Sequence, residues 1–178
     1  MPQIKKMPDA LAHMIAAGEV VERAASVLKE LVENALDAKA THIQIALDQL
    51  GLSQITVTDN GTGMDKEDLH LAFLAHATSK VFKQQDLLTI QTLGFRGEAL
   101  PSIASVAKVT LQSRTKDSEG YYVTYHQTTC VDEGSVAMNV GTKVVVKDLF
   151  YNTPARFKYL KSEYSEKEPL DTLEDEFL

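Results

Sequence analysis

Acidic and amide side chains recur at helical spacing in residues 29–38, which read KELVENALDA. Glu30 and Asn34 are one helical turn apart, so both side chains leave the same face of a helix. A carboxylate beside a neutral amide oxygen could act as a general base and as a ligand for a hard cation such as Mg²⁺. The same spacing is also typical of an amphipathic helix whose acidic face meets water. This stretch alone leaves both interpretations open.

A second candidate site is the run DNGTG at residues 59–63, which follows an apolar strand pattern. Asn-Gly is a strong turn signal, and a tight loop explains the run without any ligand. A carboxylate at a strand end, Asp59, followed by Gly61 and Gly63, also suits a planar heterocycle with an exocyclic amine, because glycine permits close backbone approach.

Glycines also precede a helical pattern in GFRGEAL, residues 94–100. Backbone N–H groups exposed before a helix bind anions, and the helix dipole favours negative charge there. The polar segment 77–93 lies just upstream and is long enough to be a loop. The phosphate-binding pattern GxxxxGK[ST] does not occur in the sequence, so a phosphate site here would be of another kind.

The elements that must position these residues follow from the apolar periodicity. One predicted helix is capped by Ser26 and ends near Ala38. Two more helices are predicted to begin at residues 65–68 and at GFRGEAL, and Pro154 is expected to start a short helix. The predicted strands are residues 43–47, 55–57, 109–113, 121–125, 135–139 and 144–146.

The composition, 44% hydrophobic and 24% charged over 178 residues, is that of one globular domain with a real core. No apolar run approaches the roughly 18 residues of a membrane span. The single cysteine, Cys130, cannot form an internal disulfide, which predicts a reducing, intracellular compartment. The net charge of −7 arises mainly after Ser162, where seven acids accompany one base. The nearly neutral remainder neither requires nor excludes a basic patch for nucleic acid.

Six motifs in order resemble the nucleotide-binding domain shared by DNA gyrase, the ninety-kilodalton heat-shock chaperones, histidine kinases and MutL, the GHKL superfamily. Within it, the MutL family of mismatch-repair ATPases is the close match. A lone DxGxG would be weak evidence, whereas six ordered motifs over residues 1–161 are specific. The motifs are IAAGEVVER at 15–23, KELVENALDA at 29–38, DNGTG at 59–63, HATSK at 76–80, GFRGEAL at 94–100 and DLFYNTPAR at 148–156.

The resemblance implies an α/β (α+β) two-layer sandwich of the Bergerat type, a mixed, mostly antiparallel sheet covered on one face by helices. It implies an ATP-binding domain over residues 1–161 and an acidic tail or linker over residues 162–178. In the family, a transducer domain follows and supplies a phosphate-binding lysine, and a C-terminal domain dimerises. Neither is expected within these 178 residues, so we expect weak ATP hydrolysis and a monomer.

The resemblance also implies roles for individual residues. Glu30 would be the general base that prepares water to attack the γ-phosphate, and Asn34 would be the Mg²⁺ ligand. Asp59 would accept a hydrogen bond from the adenine amine, and Thr142 would support the same edge. The other nucleotide-contacting residues that the resemblance implies are Asp37, Gly61, Gly63, Met64, Thr78, Ser79, Lys80, Leu93, Gly94, Phe95, Arg96, Gly97 and Glu98.

The function implied by the resemblance is slow hydrolysis of Mg-ATP that drives a conformational and dimerisation switch between mismatch recognition and repair. The alternative is an interaction module that binds ATP without hydrolysis, and Glu30 favours the ATPase. A third interpretation is a sensor histidine kinase domain, but such a domain is not expected to carry Glu30 together with GFRGEAL. The expected partners are a MutS-like mismatch recognition protein, a downstream nuclease or helicase, and DNA, with a full-length homodimer in the cytoplasm and no membrane. One departure is Lys39, where relatives often have glycine.

Overall fold

The computed structural model describes residues 5–8, 23–74, 99–155 and 157–158. Its helices are α1 (Ala24–Asp37), α2 (Lys66–Leu71) and α3 (Ala99–Val106). Its strands are β1 (Ile43–Asp48), β2 (Gln54–Asp59), β3 (Lys108–Arg114), β4 (Tyr121–His126), β5 (Thr129–Ser135) and β6 (Gly141–Lys147). A 3₁₀ turn, Gln49–Gly51, joins β1 to β2.

The six described strands form one sheet in the order β1-β2-β6-β3-β4-β5, and each described pairing is antiparallel. Strand residues alternate between the two faces of the sheet, and the helices pack on the face that carries Val57, Leu111 and Val123. These side chains are at most 2% exposed and share one core with Leu31 of α1 and Ile103 of α3. The expected two-layer α/β sandwich is therefore confirmed.

The predicted N-terminal cap of the central helix is wrong. Helix α1 begins at Ala24, and Arg23 is the N-cap residue, with no capping hydrogen bond from its side chain. Ser26 lies inside the first turn, where its backbone N–H donates to the Arg23 carbonyl at 3.0 Å. Ala24 is 1% exposed and belongs to the core, so the first residue of α1 is already held by packing, ahead of Ser26. Core packing outweighs the capping preference of serine here.

The predicted strand at 135–139 is also wrong. The strand that pairs with β4 is β5, Thr129–Ser135, and residues 136–139 have no strand structure. Strand β5 is an edge strand whose residues are mostly exposed, so it lacks the apolar alternation that reveals a buried strand. The other predicted strands, the start of α2 beside Asp65 and the helical residues from Pro154 are all observed.

The end of α1 leaves the helix through a left-handed residue. Lys39 has φ +63°, its N–H donates to the Leu36 carbonyl, and the Ala40 N–H donates to the Ala35 carbonyl. This pair of hydrogen bonds defines a Schellman motif, in which glycine is the usual residue at the Lys39 position.

No helix among the described residues is long and apolar enough to cross a membrane. The predicted loop 77–93 and the acidic tail 162–178 lie outside the described residues.

Candidate functional site

The carboxylate of Asp59 lies at the end of β2, on the face of the sheet that the helices cover. Its Oδ1 accepts a hydrogen bond from the Gly61 N–H at 2.8 Å, and the backbone N–H of Thr142 on β6 also hydrogen-bonds the carboxylate. Burial raises the pKa of Asp59 above its ordinary value, and the two backbone hydrogen bonds oppose that shift. The outcome is a half-buried carboxylate held in a fixed position.

A hydroxyl network lies beside Asp59. The Ser113 side chain of β3 is fully buried, and its Oγ donates to the Gly141 carbonyl at 2.8 Å. The same Oγ lies 2.8 Å from the Met64 N–H donor and 2.8 Å from Thr142 Oγ1. Because a serine hydroxyl has one hydrogen, the Thr142 hydroxyl must donate to Ser113. The Thr142 oxygen therefore keeps only lone pairs for a ligand and is an acceptor.

The two glycines of the DNGTG loop have close protein neighbours. A Cβ on Gly61 would lie 2.7 Å from the carbonyl oxygen of Ala38, at the end of α1. Gly63 has φ +73°, and a Cβ there would lie 1.9 Å from the carbonyl oxygen of Arg114 on β3. Any larger residue would push the loop away from α1 and β3. The glycines thus hold the loop, and with it Asp59, against both elements.

The polar face of α1 carries Glu30, Asn34 and Asp37. All three are half-buried, and each takes part in a hydrogen-bonding or electrostatic interaction. Their spacing puts them on the face opposite the buried stripe that includes Leu31. The Ala38 carbonyl accepts the Thr62 N–H at 3.0 Å, which ties this end of α1 to the DNGTG loop. An entirely water-exposed acidic face is therefore not observed.

The structure places five of the expected residues near one another. Gly61 and Thr142 adjoin the Asp59 carboxylate, Met64 and Thr142 both contact Ser113, and Gly63 lies against Arg114 of β3. Glu30, Asn34 and Asp37 lie on the polar face of α1. The other expected residues lie outside the described residues, namely Thr78, Ser79, Lys80, Leu93, Gly94, Phe95, Arg96, Gly97 and Glu98. Sequence reasoning missed Ser113. The alternation of Val109, Leu111 and Ser113 was the available signal, since it places a polar side chain on the apolar face.

An open groove of about 1060 Å³ runs beside the site. Leu28, Val32 and Ile45 contribute apolar lining, and Asp59 and Asn60 are the members of the DNGTG loop that reach it. The described residues that line the groove do not include the α1 polar residues, the two loop glycines or Thr142. Among the described hydrogen-bonding groups of the candidate site, Asp59 therefore lines the groove and the others do not, so the groups themselves are the better guide to the chemistry of the site.

The oxygen atoms of the site fit two kinds of ligand, a group with N–H donors and a hard cation. Asp59 and the Thr142 hydroxyl both present acceptors on one edge, so a ligand edge with N–H donors would be bound there. The amide of Asn34 offers the kind of oxygen that Mg²⁺ binds alongside phosphate oxygens. A carboxylate one turn away, Glu30, could accept a proton from water.

Comparison with known proteins places this arrangement in a class. Residues 22–148, more than half of the chain, match the model of the family described as histidine kinase-, DNA gyrase B- and HSP90-like ATPases. The chain belongs to this family. The expected membership of the GHKL superfamily is thereby confirmed.

Within the family, the similar proteins are mismatch-repair proteins. The chain is 55% identical over 163 residues to the DNA mismatch repair protein MutL of Exiguobacterium sibiricum, covering 92% of this chain and 27% of that protein. It is 53% identical to MutL of Staphylococcus carnosus, covering 93% of this chain and 26% of that protein. The chain thus spans about a quarter of the length of these relatives.

Solved structures show the same likeness. The N-terminal domain of a DNA repair protein matches with a TM-score of 0.73 at 34% identity, over 86% of this chain and 44% of that one. The Aquifex aeolicus MutL ATPase domain complexed with ADP matches with a TM-score of 0.59 at 34% identity, over 86% of this chain and 50% of that one. The likeness to MutL ATPase domains that the motifs predict is confirmed.

Proposed function

We propose that this chain binds ATP, with the adenine amine donating to Asp59 and the same edge of the base facing the Thr142 hydroxyl. The observation that carries the proposal is the carboxylate of Asp59, half-buried and fixed by the N–H groups of Gly61 and Thr142. Two N–H groups do not use all the acceptor positions of a carboxylate, and burial favours a further donor at the positions that remain. An adenine amine supplies that donor, and the family match makes a nucleotide the natural ligand.

We further propose that the chain hydrolyses ATP, with Glu30 as the general base. Glu30 would accept a proton from the water that attacks the γ-phosphate, and Asn34, one turn away, would bind Mg²⁺ through its amide oxygen. When bound, Mg²⁺ would stabilise the charge on the phosphate oxygens. Thr78, Ser79 and Lys80, with the backbone of the GFRGEAL run, would contact the phosphates. Positioning and charge stabilisation provide most of the catalysis of phosphoryl transfer.

Two measurements on matched variants test binding and hydrolysis separately. Calorimetry should show that Asp59→Ala loses about 1.5–3 kcal/mol of ATP binding, the value of a hydrogen bond to a charged group. Phosphate release should fall about 10²–10⁴-fold in Glu30→Gln, the usual contribution of a general base, while ATP affinity changes little. Phosphate release that is already absent in the unaltered chain, with ATP bound, would favour an interaction module without hydrolysis.

For the whole protein we propose a role in DNA mismatch repair. The support is the identity of more than 50% to MutL proteins over nine-tenths of this chain. ATP binding and hydrolysis would drive a switch in a homodimer that connects a MutS-like mismatch recognition protein to a downstream nuclease or helicase on DNA, in the cytoplasm. Analytical ultracentrifugation of the whole protein with and without a non-hydrolysable ATP analogue tests the switch. A sedimentation coefficient that the analogue leaves unchanged would contradict it.

A further inference from the structure

A second cluster of chemically active side chains lies at the far edge of the sheet, away from Asp59. It consists of His70 on α2 with Cys130 and Glu133 on β5. One nitrogen, one sulfur and one oxygen from these residues all lie within 4.8 Å of one another, and His70 Nε2 is 2.6 Å from Glu133 Oε2. The two side chains of the His70–Glu133 pair are 34% and 42% exposed, so an ion could reach them from solvent.

A β-bulge brings the two β5 residues to the same face. Cys130 and Glu133 are three apart, and in a regular strand such residues point to opposite faces. The register shifts between Thr124 and Tyr125, so that Cys130 pairs with Tyr125 and Glu133 pairs with Val123. Tyr125 and Val123 both face the helices, and the bulge therefore directs Cys130 and Glu133 toward α2.

The imidazole of His70 has a partner that would orient it for a metal. Its Nδ1 lies 3.1 Å from the Tyr125 hydroxyl, so Nε2 points to the cluster. The Tyr125 ring is 8% exposed and stacks on Phe73 with centroids 4.1 Å apart at 8°. Histidine ligands bind through one nitrogen while the other donates to a fixed acceptor, which the Tyr125 oxygen would be.

From this geometry we propose that His70, Cys130 and Glu133 bind a Zn²⁺ ion. Thiolate, imidazole and carboxylate are the three ligand types of protein zinc sites, and water would take the fourth tetrahedral position. At zinc–ligand distances of about 2.0–2.3 Å, tetrahedral ligands lie roughly 3.3–3.8 Å apart. The Glu133 carboxylate, which is 2.6 Å from His70 Nε2, would therefore move away from the imidazole by rotation of a partly exposed side chain.

The ion would cross-link α2 to the edge strand β5, because one ligand comes from the helix and two come from the strand. An edge strand such as β5 is hydrogen-bonded to the sheet along one side and exposes unpaired backbone groups along the other. A cross-link at β5 would thus stabilise this end of the fold, independently of the proposed nucleotide site. Binding would release the thiol proton of Cys130, since the thiolate is the ligand form.

Titration of the whole chain with Co²⁺, in buffer free of other metals, tests the site. Cobalt replaces zinc in tetrahedral sites, and a thiolate ligand gives a charge-transfer band in the near ultraviolet. Because Cys130 is the sole cysteine of the sequence, that band has one source. We expect the band to saturate at one Co²⁺ per chain, with the d–d absorption of tetrahedral cobalt, and to disappear when Zn²⁺ is added.

Four variants make the test specific. Cys130→Ser should abolish the charge-transfer band, and Glu133→Gln should weaken Co²⁺ binding at least about tenfold. Tyr125→Phe keeps the ring stack and removes the hydroxyl that orients His70, so it should weaken binding about 10–100-fold, the usual effect of an outer-shell partner. Asp132→Asn is the matched control, because the Asp132 carboxylate accepts a hydrogen bond from Tyr122 and is not part of the cluster.

A stability measurement provides a second readout. Zn²⁺ should raise the urea midpoint of the unaltered chain and of Asp132→Asn, and leave that of Cys130→Ser unchanged. The absence of a charge-transfer band at saturating Co²⁺, or equal Co²⁺ affinity in Glu133→Gln and the unaltered chain, would overturn the proposal. Neither result would bear on ATP binding, which is measured separately.

Discussion

Ser113 Oγ lies 2.8 Å from Thr142 Oγ1, and this contact joins β3 to β6 directly beside Asp59. Since the single hydrogen of Ser113 goes to the Gly141 carbonyl, the Thr142 hydrogen is donated to Ser113. Thr142 is then an acceptor toward any ligand, as is the Asp59 carboxylate. The buried Ser113 therefore makes the Thr142 hydroxyl an acceptor, and not a donor, toward a ligand.

Replacing Ser113 should weaken both the fold and the site. In Ser113→Ala, the Met64 N–H, the Gly141 carbonyl and the Thr142 hydroxyl lose their shared partner. We expect the free energy of unfolding to fall by about 1–3 kcal/mol, the cost of leaving buried polar groups unpaired. ATP affinity should fall as well. Urea unfolding measures the first effect, and the exposed Ser135→Ala, expected to change stability by less than about 0.5 kcal/mol, is the control.

The titration of Asp59 should make stability depend on pH in a defined direction. Burial raises the pKa of Asp59 above its ordinary value of 3.8, so the folded state binds this proton more tightly than the unfolded state. The contribution of Asp59 to stability is therefore greatest below pH 3.8 and decreases as the pH rises through the folded-state pKa. Asp59→Asn lacks this titration.

Urea unfolding of the unaltered chain and Asp59→Asn, from about pH 4 to pH 7, checks the sign. The stability of the unaltered chain relative to the variant should decrease as the pH rises. A relative stability that increases with pH would mean that folding favours the carboxylate, and that the backbone hydrogen bonds from Gly61 and Thr142 outweigh burial.

Lys39 is expected to reduce the stability of the chain. Its φ of +63° is a left-handed conformation, which costs an L-residue about 1–2 kcal/mol, whereas glycine adopts it freely. Glycine also gains more entropy in the unfolded state, which offsets about 0.4–1 kcal/mol of this benefit. The net effect of Lys39→Gly should therefore be a rise of about 0.5–1 kcal/mol in the free energy of unfolding. Lys39→Ala removes the charge and keeps the strained conformation. If Lys39→Ala stabilises as much as Lys39→Gly, the charge rather than the backbone is responsible.

The sequence predicts those parts of the fold whose apolar residues are buried on one face. Strands β2 and β6 alternate regularly, and Asp59 falls at the end of such a pattern, so both the strand and its terminal carboxylate are predictable. The alternation along β3 likewise predicts that the Ser113 side chain lies on the same face as Val109 and Leu111. The start of α1 is not predictable in this way, because packing of Ala24 against the core decides it and a local capping preference does not.

Other features depend on pairing between strands, which a single sequence does not specify. Strand β5 lies at the sheet edge and carries little apolar alternation, so its position was mispredicted. The cluster of His70, Cys130 and Glu133 depends on the β-bulge in that strand and on the placement of α2 across the sheet. The residues are up to 63 positions apart, and no spacing rule connects them.

The most direct test of adenine recognition is the ratio of ATP to GTP affinity, measured by calorimetry with Mg²⁺ present. Guanine has a carbonyl oxygen where adenine has its amine, so GTP would place an acceptor against the Asp59 carboxylate. We predict that the unaltered chain binds ATP at least about tenfold more tightly than GTP, which corresponds to losing a hydrogen bond to a charged group. Asp59→Asn, whose amide can donate to the carbonyl, should lose most of this preference, and Asp48→Asn, exposed at the end of β1, should keep it. Equal affinity of the unaltered chain for ATP and GTP, or an undiminished preference in Asp59→Asn, would contradict the assignment of Asp59 as the residue that recognises adenine.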